Sequence, residues 1–287
     1  MKFLVLGCSG MAGHVISLYL KEHRQQVVGF SRRPVNFVES ITGDVTDTQL
    51  LAQVVSQGDY DVVINAIGIL NRAAEENKDQ AVFLNAYLPH LLARLTTESK
   101  TRVFHMSTDC VFKGNTGPYT EKSIQDGTTF YDRTKALGEL VDEKNLTIRC
   151  SIVGPDINVN DIGLFNWFMK QRGTVHGYTR AMWTGLATTE LARLMLLAAE
   201  RKARGLINLV PSHSISKCDL LGLFNRSFQG SSVKVIPDDK VNLDKSLIRT
   251  NFSCSLSVKD YPEQIEDMYR WVCAHRNLYP NYAEAFA

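Results

Sequence analysis

The 287-residue sequence has no apolar run long enough to cross a bilayer, and its cysteines show no paired spacing. A membrane-spanning helix needs roughly 20 consecutive apolar residues. The apolar stretch at residues 2–6 stops at a glycine and is also too short for the core of a signal peptide. The six cysteines stand apart, without a Cys-x-x-Cys, which favours buried thiols in a reducing compartment over disulfides or zinc. We therefore expect a cytoplasmic protein with no membrane partner and no metal site.

A strong charge of either sign is also absent. The net charge is only +2, and no basic run stands out, which argues against nucleic acid as a partner. Hydrophobic residues make up 44% of the chain and charged residues 22%, as in ordinary globular proteins. No internal repeat or low-complexity linker interrupts the sequence. The length is sufficient for one large or two ordinary domains.

A glycine-rich turn follows the first apolar stretch. It reads Gly-x-x-Gly-x-x-Gly over residues 7–13 and leads into a helical pattern from Val15 to Leu20. Glycines let the backbone approach a pyrophosphate, and the following helix supplies free N–H groups at its start. An ordinary tight strand-to-helix turn is the alternative. The residues predicted to bind a dinucleotide here are Gly7, Ser9, Gly10, Met11 and Gly13.

Two later strand ends extend the predicted cofactor site. Residues 26–30 form the second predicted strand, and the arginine pair that follows it is not accompanied by an acid. Arginine suits the 2′-phosphate of NADPH, so NADPH is the predicted cofactor, NADH stays open, and a solvated arginine pair is the alternative. A further strand is predicted over residues 61–68, and its carboxyl end would face the ligand crevice of such sheets. The predicted cofactor residues here are Ser31, Arg32, Arg33, Asp44, Val45, Ala66, Ile67 and Gly68.

Strands and helices alternate through the first half of the chain. Further strands are predicted at 101–107 and 146–151, with helices up to about residue 57 (capped by Thr46), over 79–99 and around Tyr131. This alternation predicts an α/β fold, a Rossmann-type doubly wound parallel sheet, with a smaller α/β substrate-binding domain. The NADP-binding domain would comprise residues 1–152 and about 184–211, and the substrate-binding domain residues 153–183 and 212–287.

The second half is predicted to contain more isolated elements. Its predicted helices are 163–171, 188–202, 216–228 and 262–276, its predicted strands are 206–210 and 233–236, and residues 173–185 are expected to be irregular.

A tyrosine and a lysine stand four residues apart at Tyr131 and Lys135. On a helix they would share one face. A tyrosine titrates near pH ~10, and a neighbouring cation would lower that pKa toward useful proton transfer. Among ten tyrosines this spacing also arises by chance. Thr108, at the end of the strand before, is a candidate hydrogen-bond donor, although its hydroxyl could simply close a turn.

Four linked motifs carry a resemblance to a known family. They are Ser-Thr-Asp-x-Val-Phe (107–112), Gly-Pro-Tyr-x-Glu (117–121), Tyr-x-x-Thr-Lys-x-x-Gly-Glu (131–139) and Arg-x-Ser-Ile-Val-Gly (149–154). Together with the glycine turn they resemble extended short-chain dehydrogenases/reductases and, more narrowly, the dTDP-4-dehydrorhamnose reductase family. The chain departs from that family at Cys110, where tyrosine is usual, and at Asp132, where glycine is usual.

The resemblance implies NADPH-dependent reduction of the C4 ketone of a nucleotide-linked 4-keto-6-deoxy sugar, in polysaccharide biosynthesis. Tyr131 would give the proton, Thr108 would stabilise the developing oxyanion, and Lys135 would hold the nicotinamide ribose. Ser107 and Ile152 join the predicted cofactor site, together with Tyr131 and Lys135. The predicted substrate residues are Asp109, Cys110, Val111, Tyr178 and Trp183. A turn cap is an alternative for Asp109, and core packing for the two aromatics.

Other functions stay open at this point. Segment 177–183 is closer to enzymes that reduce UDP-linked 4-keto-6-deoxy-N-acetylhexosamines. An epimerase would keep the same tyrosine and lysine. A non-catalytic NADP-binding regulatory subunit, like that of methionine adenosyltransferase, is the alternative of another class. A 4,6-dehydratase is disfavoured, since Cys110 stands where those relatives carry glutamate. A homodimer is also open, Asn85 could bond to the tyrosine helix, and His14 and His105 are interpreted as structural.

Overall fold

The computed structural model describes residues 1–158, 163–230 and 232–282. Its strands are β1 (Lys2–Leu6), β2 (Gln26–Ser31), β3 (Glu39–Thr42), β4 (Val62–Asn65), β5 (Arg102–Ser107), β6 (Leu146–Arg149), β7 (Ser151–Val153), β8 (Thr174–Tyr178), β9 (Ala181–Trp183), β10 (Gly185–Ala187), β11 (Gly205–Asn208), β12 (Ile215–Ser216), β13 (Lys234–Asp238) and β14 (Leu243–Asp244). Within these residues, seven strands form one parallel sheet in the order β11-β6-β5-β4-β1-β2-β3. The predicted doubly wound sheet is therefore confirmed.

Helices cover both faces of this sheet, and further helices pack beside it. They are α1 (Met11–Glu22), α2 (Thr48–Gln57), α3 (Asn71–Glu76), α4 (Lys78–Ala81), α5 (Leu88–Leu95), α6 (Phe130–Leu137), α7 (Leu164–Met169), α8 (Thr188–Glu200), α9 (Lys217–Phe228) and α10 (Tyr261–Ala274). A π-helical segment, Val82–Tyr87, joins α4 to α5. No helix in the described ranges has the length and apolarity needed to cross a membrane.

Strand β1 shows why its residues are almost all apolar. Successive side chains of a strand point to opposite faces, so Phe3 and Val5 enter the core beneath α1 and α8, whereas Leu4 and Leu6 enter the core beneath α2 and α5. All four are fully buried. A strand covered by helices on both faces has no solvent side, and the continuous apolar run is the consequence.

The chain after β6 forms short strand pairs beside the main sheet. Strand β7 pairs with β10, β8 pairs with β13, and β9 lies between β12 and β14. The expectation of irregular backbone over residues 173–185 was therefore wrong. These strands are three to five residues long and find partners far along the chain, so no local repeat of apolar positions announces them. The proposed division into two domains stays a prediction, and residues 159–162, 231 and 283–287 of it lie outside the described residues.

Two helix predictions also needed correction. The single helix expected over 79–99 is interrupted by the π segment, because Pro89 has no N–H to bond the carbonyl of Asn85 four residues earlier. That carbonyl instead lies against Gly138, where a β-carbon would come within 1.9 Å of it. The cap of α2 is Asp47, whose side chain accepts from the Leu50 N–H, and not Thr46.

A 3₁₀ turn, Arg276–Leu278, follows α10 and is called the C-terminal turn below. The residue after it, Tyr279, attaches it to helix α1. His14 on α1 is fully buried, with Nδ1 2.9 Å from the Gly10 carbonyl and Nε2 2.8 Å from the Tyr279 hydroxyl. Trp271 on α10 donates its indole N–H to the same hydroxyl at 3.0 Å. Burial lowers the pKa of His14 to about 4, so the ring is neutral at neutral pH.

This neutral histidine should make folding stability sensitive to acid. As the pH falls below 6.5, the unfolded chain takes up a proton that folded His14 refuses until about pH 4. Stability is therefore lost across this window, by about 2 kcal/mol at pH 5. His14→Gln should reduce the difference in urea-unfolding free energy between pH 7 and pH 5 by that amount.

The matched control is His23→Gln, because His23 is exposed near the end of the same helix. It should leave the acid sensitivity at the wild-type value. Equal pH dependence in the wild type and His14→Gln would contradict the assignment.

Candidate active site

A cleft opens at the carboxyl ends of β1, β2 and β4, with a volume of about 430 Å³. Its walls include ten of the predicted cofactor residues: Gly7, Ser9, Gly10, Ser31, Arg32, Asp44, Val45, Ala66, Ile67 and Gly68. Six further wall residues were not predicted: Phe30, Gly43, Thr46, Ile69, Gln80 and Leu84. Prediction of the edge strand β3, which ends directly before Gly43, would have placed Gly43 and Thr46 at the same edge of the sheet and so in the cleft.

The glycine turn fits a dinucleotide cradle. Gly7 has φ +82°, a conformation that side chains rarely adopt, and a β-carbon on Gly13 would lie 2.1 Å from the Gly7 carbonyl oxygen. Helix α1 can therefore press directly on the turn. Its N-cap is Gly10, and no side chain caps the first N–H groups. A helix start with uncapped N–H groups suits a pyrophosphate. Met11 opens this helix, with its sulfur 3.9 Å from Nδ2 of Asn166.

The two predicted arginines have different surroundings. Arg32 lines the cleft and has no hydrogen-bond or ion-pair partner in the described part of the chain. Arg33 instead donates to Oδ1 of Asn158 at 2.5 Å, and the Asn158 amide donates to the Ser9 carbonyl at 2.9 Å. Asp44 shares the cleft with Arg32, and its pKa is lowered mainly by the Thr46 N–H and also by Arg32.

Tyr131 and Thr108 meet where β5 ends. Thr108 follows the strand, and its hydroxyl accepts from the Cys110 N–H at 3.1 Å, which begins a short 3₁₀ turn, Asp109–Val111. The Thr108 hydroxyl donates to Oδ1 of Asp109 at 3.1 Å, and it acts on the Tyr131 phenol by lowering its pKa against the larger effect of burial. Both side chains are buried. The turn-closing role of Thr108 and its position beside the phenol therefore coexist.

The helix of Tyr131 begins at a well-defined cap. Thr129 and Asp132 form a capping box, each side chain accepting from the other's backbone N–H at 3.1 Å. Asp132, one of the two departures from the family pattern, thus has a structural reason. Glu75 on α3 accepts from the next N–H, that of Phe130, at 2.6 Å. Three side chains therefore hold the first turn of α6 and orient the phenol.

The electrostatics of Tyr131 differ from the expectation. Burial, rather than the nearby lysine, dominates and raises the pKa of the phenol, and the acidic groups of Cys110 and Asp109 add to the effect. The expected lowering by Lys135 was therefore wrong for the structure as it stands. A raised pKa keeps the phenol protonated throughout the neutral range, which is the form that a proton donor requires.

Lys135 lies behind the tyrosine with its ammonium buried. Nζ donates to the Met106 carbonyl at 2.6 Å and lies 3.5 Å from Nε2 of His105. Burial lowers the lysine pKa to about 8, partly opposed by Glu139. The lysine therefore exchanges its proton near neutral pH.

A buried ion pair stands next to this lysine. Arg149 donates to both oxygens of Glu139 at 2.7 and 2.6 Å, and the Ser107 hydroxyl donates to Oε1 at 2.6 Å. Ser107, predicted for the cofactor, therefore holds this pair, and sequence reasoning missed Glu139 and Arg149 as a pair. Asn85 bonds Thr134 of α6 at 3.2 Å, as expected. Ile152 lies on β7 opposite Leu186.

The predicted substrate residues fall into two groups. Asp109, Cys110 and Val111 form the 3₁₀ turn, which packs against Tyr131 through Cys110 and does not line the cleft, and Asp109 accepts from Ser151 at 2.8 Å. Burial raises the pKa of the Cys110 thiol to about 12, so the thiol is uncharged and unreactive near neutral pH. Trp183 is buried with its ring 5.7 Å from that of Tyr261, and Tyr178 ends β8 half exposed. Neither aromatic lines the cleft.

Comparison with known proteins identifies the family of the chain. Residues 1–220 match the family model described as the RmlD substrate binding domain. The chain is 26% identical over 263 residues to a probable low-salt glycan biosynthesis reductase of Haloferax volcanii, covering 87% of this chain and 88% of that protein. It is 28% identical over 140 residues to a dTDP-4-keto-6-deoxy-D-glucose reductase of Streptomyces niveus, covering 48% and 46%.

Solved structures share the fold. A dTDP-4-dehydrorhamnose reductase from Bacillus anthracis in complex with NADP gives a TM-score of 0.78 at 18% identity, covering 94% of this chain and 99% of that one. A hypothetical dTDP-4-dehydrorhamnose reductase from Sulfolobus tokodaii gives 0.75 at 24% identity, covering 91% and 98%. Since the family model spans 220 of the 287 residues, the resemblance found in the motifs is confirmed: the chain belongs to the RmlD-like family of sugar-nucleotide reductases, a family of oxidoreductases.

Proposed function

We propose that the protein reduces the C4 ketone of a nucleotide-linked 4-keto-6-deoxy sugar with NADPH, in the synthesis of a polysaccharide or glycan. The observation that carries the proposal is the buried pair of hydroxyls, Tyr131 and Thr108, at the strand end beside the glycine-turn cleft. The names of the relatives, reductases of dTDP-linked ketosugars and of glycan biosynthesis, point the same way.

The chain's own residues account for the proton chemistry. A bound nicotinamide supplies hydride to the ketone carbon. The ketone oxygen then becomes an alkoxide, and Tyr131 donates its phenolic proton to that oxygen. Thr108 accepts from the Cys110 N–H, so its hydroxyl proton is free to turn from Asp109 toward the same oxygen. Lys135 holds positive charge beside the site below about pH 8.

Cofactor choice is assigned to Arg32. Arg32 lines the cleft and has no hydrogen-bond or ion-pair partner among the residues that the structure describes, whereas Arg33 is bound to Asn158. A charge-assisted hydrogen bond from arginine to a phosphate is among the stronger polar contacts in proteins. We therefore assign NADPH as the preferred cofactor, with Arg32 as the contact for its 2′-phosphate.

Removal of the phenolic proton donor should nearly abolish turnover. Tyr131→Phe should lower kcat for NADPH oxidation by about 10²–10⁴-fold, because the alkoxide loses its acid. The assay supplies dTDP- and UDP-linked 4-keto-6-deoxy sugars in parallel, with and without a 2-N-acetyl group, and follows absorbance at the nicotinamide band. NADPH binding, measured by fluorescence, should be unchanged.

Tyr87→Phe is the matched control, since Tyr87 is exposed on the π segment. It should keep wild-type turnover. Full activity in Tyr131→Phe would remove the proposed role. Interconversion of two sugar nucleotides without net NADPH oxidation would favour an epimerase instead.

Removal of the Arg32 charge should weaken NADPH selectively. Arg32→Ala should raise the Kd for NADPH roughly 10- to 100-fold, the range expected for one hydrogen bond to a charged group, and leave that for NADH almost unchanged. Arg33→Ala should change the ratio of the two affinities far less. Equal loss for both cofactors in Arg32→Ala would contradict the 2′-phosphate contact.

A further inference from the structure

A chain of buried polar side chains runs behind Lys135 and is not used by the proposed reaction. It joins Asn65 at the end of β4 to His105 within β5, and His105 to the lysine on α6. Asn65 and His105 have no exposed surface, and Lys135 is only 5% exposed. Polar groups buried this deeply must satisfy one another, so the direction of each hydrogen bond carries information.

The donor and acceptor of each hydrogen bond in this series follow from its first member, a backbone amide. The Ile67 N–H donates to Oδ1 of Asn65 at 3.2 Å, and a backbone N–H can only donate. The other side-chain atom of Asn65, Nδ2, must therefore face the ring of His105, 3.3 Å from Nδ1. Because an amide nitrogen is a donor, Nδ1 is the acceptor and carries no proton.

The second ring nitrogen then has a determined state. Neutral imidazole holds one proton, and with Nδ1 accepting, that proton is on Nε2. Nε2 lies 3.5 Å from Nζ of Lys135. An N–H pointed at an ammonium sets two donors against each other, whereas an N–H pointed at an amine meets its lone pair.

We propose that His105, oriented by Asn65, is a positioning residue that turns an N–H toward Nζ of Lys135 and so favours the neutral amine over the ammonium. This inference deepens the proposed function, since it rests on the role proposed there for Lys135. The histidine interpreted from sequence as merely structural thereby controls the charge beside the reaction centre.

Other groups face this pair from neighbouring elements. Glu139, just beyond α6, favours the ammonium, but Arg149 occupies both of its oxygens. The pKa of the Cys150 thiol is raised to about 12 by burial, so it is uncharged near neutrality. His90 on α5 and Lys135 both disfavour a charged His105, whose pKa burial places well below its usual value. Together with burial of Nζ, these surroundings are consistent with a lysine pKa of about 8.

The tautomer of His105 tests the inference in the wild-type protein. Long-range ¹H–¹⁵N spectra of histidine-labelled protein at pH 7 distinguish a protonated from a bare ring nitrogen, and seven histidines make a simple spectrum. The signal absent from His105→Gln identifies residue 105. We expect a proton on Nε2 and a bare Nδ1. A proton on Nδ1 would overturn the proposal.

Reversal of the hydrogen-bond direction gives a second test. Asn65→Asp keeps an oxygen for the Ile67 N–H but presents the other oxygen to Nδ1, which must then carry the proton and leave Nε2 free to accept from the ammonium. The titration midpoint of Lys135, followed by the ¹³Cε shift in lysine-labelled protein and assigned with Lys135→Arg, should rise by about one pH unit or more. Because the added carboxylate also raises the midpoint by its charge alone, the tautomer of His105 is read in the same variant, and we expect its proton on Nδ1. A proton that stays on Nε2, or an unchanged midpoint, would refute the coupling.

Asn145→Asp is the matched control. Asn145 is buried at the start of β6, accepts from the Val103 N–H at 2.8 Å and donates to Asp142 at 2.9 Å, away from the lysine. It should lower stability without moving the Lys135 midpoint. Neither measurement uses cofactor or sugar. An inactive protein with the expected tautomer and midpoint would therefore contradict the proposed function and leave the inference about His105 intact. If Asn65→Asp does not fold, the tautomer of His105 in the wild-type protein decides whether the inference holds.

Discussion

The contact between Gly13 and the Gly7 carbonyl is the constraint on which the rest of the site depends. Because a β-carbon at residue 13 would lie 2.1 Å from that oxygen, only glycine lets α1 pack directly on the end of β1. The close approach aims the uncapped start of α1 into the cleft. It also places His14, one residue on, where it reaches both Gly10 and Tyr279. The absence of a side chain at Gly13 therefore determines the shape of the glycine turn, the direction of α1 and the attachment of the C-terminal turn.

A layer of buried polar side chains lines the carboxyl ends of β4, β5 and β6, with Asn65, Ser107 and Arg149 among its members. The Glu139–Arg149 pair belongs to it, with both side chains almost fully buried. Such a pair is weak evidence for stability, since apolar residues of similar volume often replace it at no loss, whereas loss of one partner costs about 3–5 kcal/mol. Its contribution here is positional, because it holds the Ser107 hydroxyl and lies beside Lys135.

The sequence predicted the structure correctly where a local pattern of residue types has a single physical cause. The glycine turn, the continuous apolar strands and the Tyr131–Lys135 spacing each predicted an element that the structure contains. The short strands β8 to β10 escaped prediction because their pairing partners lie up to about sixty residues away. The environment of Tyr131 escaped for a related reason: helix spacing places a cation nearby, but burial by α3 and the 3₁₀ turn follows only from packing. The tautomer that we propose for His105 likewise depends on the backbone N–H of Ile67, about forty residues earlier in the chain.

Helix α3 has a double attachment with a consequence for access to the phenol. Ala74 packs in the same cluster as Tyr131, while Glu75 on the same helix bonds the Phe130 N–H. Helix α3 therefore shields the phenol and caps α6 at once. Glu75 is exposed, so water can replace it when α3 moves away, and loss of this hydrogen bond costs at most about 1.5–3 kcal/mol. Local displacement of this one short helix would thus expose the phenol without any rearrangement of the large sheet.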